Sequence, residues 1–181
     1  KPHDPLEYIK LLTWVRGARS ILEIGSRFGY VLVDLAHCMN GKGRVVSVDL
    51  PDAEGWDDDL SRDAINHLRR NVQQLKDEGY DASLFEGDSK DAGIIEAVTA
   101  LGPFDVVFID GDHSYEGVLA DWTAYGPLGK TVIFHDIRQP QPPEFMGLGV
   151  WRLWAEIGNE AEEFLAPGSK MGIGMIRRSH G

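Results

Sequence analysis

Cysteine is almost missing from this chain. Of 181 residues only Cys38 is one, so no internal disulfide can form. Cys38 lies among Leu35, Ala36 and Met39, a setting for a buried helical thiol rather than a nucleophile. Long apolar runs are also missing; the longest are strand-length, which excludes a membrane-spanning helix. No charged, apolar and small-residue leader opens the sequence, so the cytoplasm is the expected compartment. Positive charge is scarce: 18 Lys and Arg stand against 29 Asp and Glu, a net charge of −11. With no Lys/Arg run to offset that field, phosphate backbones would be repelled over most of the surface, and no nucleic-acid partner is expected. What remains is 43% hydrophobic and 26% charged residues, a balance that argues against wholesale disorder. No repeat or linker divides the chain, so residues 1–181 are expected to form one domain with a sizeable core.

Asp4-Pro5-Leu6-Glu7 reads as a helix start, with Asp4 as N-cap, Pro5 in the first turn and Glu7 reaching back. Leu6, Ile9, Trp14 and Val15, with Leu11 and Leu12 between them, suggest one buried face of a helix ending near Gly17. Strands are predicted at residues 21–24, 44–49, 83–86, 104–109 and 131–134. Helices are predicted at residues 30–39, 60–78, 91–101, 115–125 and 150–157. Tyr115 and Glu116 open the fourth of these and are candidates to cap it. Residues 139–143, with three prolines, read as a loop. Residues 163–166 and 171–176 flank Pro167-Gly168 and suggest a closing hairpin. Strands alternating with helices, followed by a terminal hairpin, indicate a doubly wound α/β domain.

The most telling run is Phe104 to Tyr115. Val106-Val107-Phe108-Ile109 do not alternate with polar residues, as expected for a strand buried on both faces of a parallel sheet. Ligands of such sheets sit beyond the carboxyl ends of the strands. Asp110, Asp112 and His113 fall there, offering ligands for a hard metal ion and a candidate base. Other strands end in the same way. Glu23-Ile24-Gly25-Ser26-Arg27-Phe28-Gly29 follows the first, and its two glycines let the backbone pass close to a ligand at a helix N-terminus. The run lacks the G-x-G-x-x-G dinucleotide fingerprint, since position 27 is Arg and position 30 is Tyr. Asp49 ends the second strand, placed to accept from both ribose hydroxyls, and Asp88 follows the third, placed to accept from an adenine amino group.

The segments E-I-G-S-R-F-G (23–29), V-V-S-V-D (45–49), E-G-D (86–88), F-I-D-G-D-H-S-Y-E (108–116) and F-H-D (134–136) resemble the successive motifs of class I S-adenosylmethionine-dependent methyltransferases. The resemblance is strongest to the small metal-dependent O-methyltransferase-like group, which includes catechol-type, macrolide-sugar and cephalosporin-hydroxylase-like proteins. It implies a seven-stranded Rossmann-like sheet, mostly parallel, with a C-terminal antiparallel hairpin. It also implies S-adenosyl-L-methionine as cofactor. Glu23 would hold the methionine amino group, and Gly25, Ser26 and Gly29 would line the glycine loop. Asp49 would bind the ribose, Asp88 with Ser89 the adenine, and Asp110 would border the pocket. The loop departs from the commoner E-x-G-x-G-x-G form at Arg27.

In the catechol-type relatives the acids ending the fourth and fifth strands hold magnesium, which here points to Asp110 and Asp136. The relatives' amide ligand is replaced by Ile137, so the third ligand is left to His135, Asp112 or water. Two carboxylates and water suit Mg²⁺, while an added imidazole favours Mn²⁺, Fe²⁺ or Zn²⁺. His113 stands where those relatives carry a lysine base, and an imidazole suits removal of a hydroxyl proton near neutral pH. His3, His37, His67 and His180 have no such setting and are expected on the surface. Trp151 and Trp154 are expected in the core, and Trp56 equally there or against the acceptor or a partner. The expected function is metal-assisted O-methylation of a small-molecule acceptor, with oligomerisation left open. The alternatives are an NAD-type Rossmann oxidoreductase, disfavoured by the absent fingerprint, and a non-catalytic nucleoside binder acting through the acidic segment 51–59.

Overall fold

The computed structural model describes residues 4–51, 63–138, 148–158 and 161–178. Five strands run parallel: β1 (Ser20–Ile24), β2 (Arg44–Asp49), β3 (Asp81–Glu86), β4 (Phe104–Ile109) and β5 (Gly129–His135). Two more, β6 (Glu162–Phe164) and β7 (Ile173–Arg177), form the antiparallel hairpin at the end of the chain. The order across the seven-stranded sheet is β3-β2-β1-β4-β5-β7-β6, with β7 antiparallel to β5. The chain winds outward from β1 to β3, then returns to lay β4 against β1. That reversal opens a crevice beyond the carboxyl ends of β1 and β4, the place where open α/β sheets bind ligands.

Helices α1 (Pro5–Val15), α2 (Tyr30–Cys38) and α3 (Ala64–Asp77) cover one face, meeting Ile21, Val45, Val106, Phe108 and Ile133. Helices α4 (Ala92–Thr99), α5 (Tyr115–Tyr125) and α6 (Val150–Ile157) cover the other, meeting Leu22, Val46, Val107, Val132 and Phe134. Successive strand side chains point to opposite faces, so a sheet sandwiched by helices needs apolar residues at both parities. Phe108 is fully buried, which is worth about 1.5–3 kcal/mol relative to an exposed side chain.

Side-chain caps fix three of the six α-helix starts among the described residues. Asp4 caps α1, accepting from Leu6 N at 2.9 Å, and Asp91 caps α4, accepting from Gly93 N at 2.8 Å. Helix α5 is capped by Ser114, whose Oγ accepts from Gly117 N at 3.0 Å, and not by Tyr115 or Glu116, which lie within its first turn.

The expectation for α1 needs correction. Its buried stripe is Glu7, Leu11 and Val15, while Leu6 and Ile9 are 51% and 60% exposed. Glu7 does not reach back to close a capping box. Its fully buried side chain instead accepts at Oε1 from Ala166 N at 3.2 Å and Gly172 N at 3.1 Å, in the β6–β7 connection. Those amides would otherwise be buried donors without partners, a cost of about 1–3 kcal/mol each. The carboxylate therefore takes the inward position and turns Leu6 and Ile9 outward. Cys38, at the end of α2, is half-buried rather than fully buried. Trp154 lies in the core at 5% exposure, and Trp151 is half-buried with its indole N–H on Leu148 O at 2.9 Å. Trp56, His3 and His180 lie outside the described residues, as do most of the acidic segment and the start expected for the third helix. Among the described residues no helix is long and apolar enough to cross a membrane.

Candidate active site

The turn after β1 is forced by backbone proximity. Gly25 has φ +86, and a Cβ there would collide with the carbonyl oxygen of Asp110 and the Cα of Gly111. Only glycine lets the loops after β1 and β4 approach this closely. Two residues among those described combine positive φ with a side chain, Arg27 at 51° and Asp136 at 62°. Both lie in loops at the carboxyl end of the sheet. Such backbone strain, of order 1–3 kcal/mol per residue, concentrates where a site requires it. Arg27 thus adopts a conformation that glycine would supply at the middle of the loop.

Three acids stand at the ends of β1, β2 and β3. Glu23 is 1% exposed, and its Oε2 accepts from Ser26 Oγ, which also lies 2.8 Å from Ser47 Oγ. Burial pushes Glu23 up to about 8; the Ser26 hydrogen bond opposes this, and the charges of Asp110 and Asp49 add to it. Asp49 is half-buried and accepts from the backbone N–H of Arg27, so the glycine loop and the second strand end are tied together. Burial raises its carboxyl above the usual range, only partly offset by backbone N–H groups from Arg27, Leu50 and Ser26. Asp88 is exposed and accepts from Lys90 N at 2.9 Å. Ser89, half-buried beside it, donates to Asp121 Oδ1 at 2.6 Å.

The ends of β4 and β5 carry a different assembly. His113 lies between two carboxylates, with Nε2 3.3 Å from Asp110 Oδ1 and Nδ1 3.1 Å from Asp136 Oδ2. His135 Nδ1 is 3.1 Å from Asp136 Oδ1 and 3.6 Å from Asp110 Oδ1. Burial alone would lower both imidazoles, but the surrounding acids outweigh it. The Asp110 charge and the Asp136 hydrogen bond hold His135 up at about 9, and Asp110 and Asp136 raise His113 above its ordinary value. Ligand atoms of Asp110, His113 and Asp136 all lie within 4.8 Å of one another, a spacing that one ion can span. His135 backs this trio from the buried side. Asp112 turns away, accepting from Ser114 N at 2.9 Å and pairing with Lys90 Nζ at 3.2 Å. His37 and His67 are surface residues, paired with Glu78 and Asp63 respectively.

Sequence reasoning passed over Asp121. It sits on the buried stripe of α5 with Gly117, Val118 and Tyr125, where an acid amid apolar spacing is a legible signal. Glu7 carries the same signal on α1.

A family model described as a methyltransferase domain matches residues 22–137. No curated protein matches. Among solved structures, the O-methyltransferase TomG from Streptomyces achromogenes, involved in tomaymycin synthesis and solved with SAM, is 19% identical with a TM-score of 0.65. That likeness covers 97% of this chain and 80% of TomG. An O-methyltransferase from Bacillus cereus solved with SAH is 20% identical with a TM-score of 0.64, covering 98% of this chain and 83% of that one. CalS11, a TDP-rhamnose 3′-O-methyltransferase of calicheamicin biosynthesis, is 20% identical with a TM-score of 0.62, covering 94% and 75%. At these identities the likeness is one of fold. With the family match spanning β1 to the end of β5, and with the seven-stranded sheet of the class I enzymes, the chain belongs to the family of methyltransferase domains.

Proposed function

We propose that this protein transfers the methyl group of S-adenosyl-L-methionine to a hydroxyl of a small molecule, a sugar or a phenol, with a divalent cation held between Asp110 and Asp136. The observation that carries the reading is the convergence of two carboxylates and an imidazole beside the crevice between β1 and β4. The SAM and SAH held by two of the solved relatives support the cofactor. The third, a methyltransferase directed at a sugar oxygen, supports a hydroxyl acceptor.

In this reading Glu23 binds the methionine ammonium, Asp49 the ribose hydroxyls, and Asp88 with Ser89 the adenine. Gly25, Ser26 and Gly29 let the loop lie against the nucleoside. The acceptor oxygen forms a bond to the methyl carbon while the carbon–sulfur bond breaks and sulfur keeps the electron pair, leaving S-adenosylhomocysteine. His113 takes the hydroxyl proton. Asp110 and Asp136 would hold a cation (Mg²⁺, or Mn²⁺, Fe²⁺ or Zn²⁺ if an imidazole joins), which would supply Lewis acidity that lowers the acceptor pKa. His135 stays behind Asp136 and orients it, or completes the ligand set. A second role for His113, as a third metal donor, is favoured by one observation: a ring nitrogen lies within 4.8 Å of ligand oxygens of both Asp110 and Asp136.

Titration of the protein with Mn²⁺, followed by electron paramagnetic resonance, tests the reading. Mn²⁺ is expected to bind native protein and to be lost in the Asp110→Asn/Asp136→Asn double variant, with S-adenosylhomocysteine still binding both. Native protein that binds S-adenosylhomocysteine but no Mn²⁺ would end the metal assignment. If His113→Ala also loses Mn²⁺, His113 is a ligand; if it keeps Mn²⁺ and loses turnover, His113 is the base.

A further inference from the structure

Asp121 lies midway along α5 and is 1% exposed. Its Oδ1 accepts the Ser89 hydroxyl at 2.6 Å. Its Oδ2 is buried with no hydrogen-bond partner among the described residues, and it would lie 3.3 Å from a Cβ added at Gly111. One turn further along, Tyr125 donates its hydroxyl to the Ser89 carbonyl at 2.6 Å. Helix α5 therefore grips Ser89 at both its side chain and its backbone.

Leaving one carboxylate oxygen buried and unsatisfied costs free energy. A neutral residue that merely packed here would avoid that cost. What an ionised acid does, and an apolar residue cannot, is compel the Ser89 hydroxyl to donate inward. A hydroxyl has one proton and two lone pairs. With its proton committed to Asp121, Ser89 offers the nucleoside pocket lone pairs alone.

We propose that Asp121 is a positioning residue that fixes Ser89 as a hydrogen-bond acceptor, so that the pocket selects a 6-aminopurine over a 6-oxopurine. The inference rests on the cofactor reading above, which places adenine beside Asp88 and Ser89. Asp88 is already an acceptor, so an amino group finds acceptors on both sides while a 6-oxo group finds no donor from either. The groups facing Asp121 from the packed elements are Ser89, Lys90 and Asp88 after β3, Asp112 after β4, and Tyr125 on its own helix. Burial raises Asp121 to about 6; Ser89 and Lys90 oppose the rise, and Asp112 and Asp88 add to it. Below that value a protonated Asp121 can itself donate to Ser89, freeing the hydroxyl proton to turn toward a carbonyl.

Calorimetric dissociation constants for S-adenosylhomocysteine and its 6-oxo analogue, S-inosylhomocysteine, test this. Their ratio cancels contributions from the shared ribose and amino-acid portions, including Glu23. At pH 8 the native protein is expected to prefer the amino form by on the order of tenfold, as for loss of one hydrogen bond with an acceptor left unmatched. Asp121→Ala should bring the ratio close to one. Asp121→Asn keeps an oxygen for the Ser89 hydroxyl and should retain the preference. At pH 5 the native ratio should shrink while that of Asp121→Asn stays constant, a response that mere packing would not give. The pH comparison on native protein keeps the test open if Asp121→Ala does not fold. S-adenosylhomocysteine binding with a ratio that neither pH nor Asp121→Ala alters overturns this inference alone. Failure of native protein to bind S-adenosylhomocysteine overturns the cofactor reading and this inference with it.

Discussion

The two halves of the crevice handle charge in opposite ways. At the ends of β1 and β2 the acids are met by neutral donors: Ser26 on Glu23, and the Arg27 amide on Asp49. Burial there pushes both carboxyls upward, toward the protonated form. At the ends of β4 and β5 the acids are interleaved with His113 and His135, and there the imidazoles are pushed toward the protonated form. The first half thus meets its acids with neutral hydrogen-bond donors, the Arg27 guanidinium adding the smallest of the effects on Asp49, and in the proposed reading it would receive an ammonium with hydroxyl donors around it. In the second half, imidazoles inclined toward the protonated form sit between carboxylates, an arrangement that a divalent ion could replace on displacing protons. In the proposed reading, similar residue types, acids at strand ends, would serve a nucleoside in one place and a cation in the other because their neighbours differ.

The largest effect should come from disabling the second half. His113→Ala is expected to slow methyl transfer roughly 10²–10⁴-fold if His113 moves the acceptor proton, with little change in S-adenosylhomocysteine affinity. Rates would be followed by S-adenosylhomocysteine release with a sugar acceptor, and full activity across pH 6 to 9 would confine His113 to a structural part.

The first half should differ in its response to pH. Glu23, at about 8 in the folded protein, carries a proton at pH 6 and must release it to pair with the ligand ammonium. Affinity for S-adenosylhomocysteine should therefore rise with pH between 6 and 8, by up to about tenfold per unit for one proton released. Calorimetry in buffers of different ionisation enthalpy would detect that proton, and Glu23→Gln should abolish its release. For the free protein the sign is the reverse. A carboxyl raised from 4.5 in the unfolded chain favours folding below that value, and this contribution is lost as pH climbs through about 8.

A smaller effect is expected at Asp49. Asp49→Ala should weaken S-adenosylhomocysteine by more than about 1 kcal/mol through the lost ribose hydrogen bonds. Unchanged affinity in a folded variant would remove Asp49 from the pocket.

Much of this site is legible from residues alone. Parallel strands buried on both faces write themselves as unbroken apolar runs, so their polar ends stand out, as at Ile109-Asp110 and Val48-Asp49. Helices with local stops and starts are equally plain, and α5 and α6 begin and end where the sequence predicts, Tyr115–Tyr125 and Val150–Ile157. The bounds of β5 and of the hairpin strands shift by a residue or two, since ladder partners extend or trim strands beyond what periodicity marks.

The class of fold, the sheet end at which chemistry would lie, and the acids that reach it were all written in the chain. Those properties depend on short-range pattern: apolar runs, glycine at tight turns, and capping side chains near the residues they cap. Which polar groups meet was decided by packing. It inserted His113 between Asp110 and Asp136, turned Asp112 toward Lys90, and gave Ser89 to Asp121. It also carried Glu7 from its own helix cap to the amides of a distant hairpin. Each of these depends on polar groups finding partners across elements far apart in the chain. The cost of leaving such groups unmatched in the interior is settled only when the elements pack.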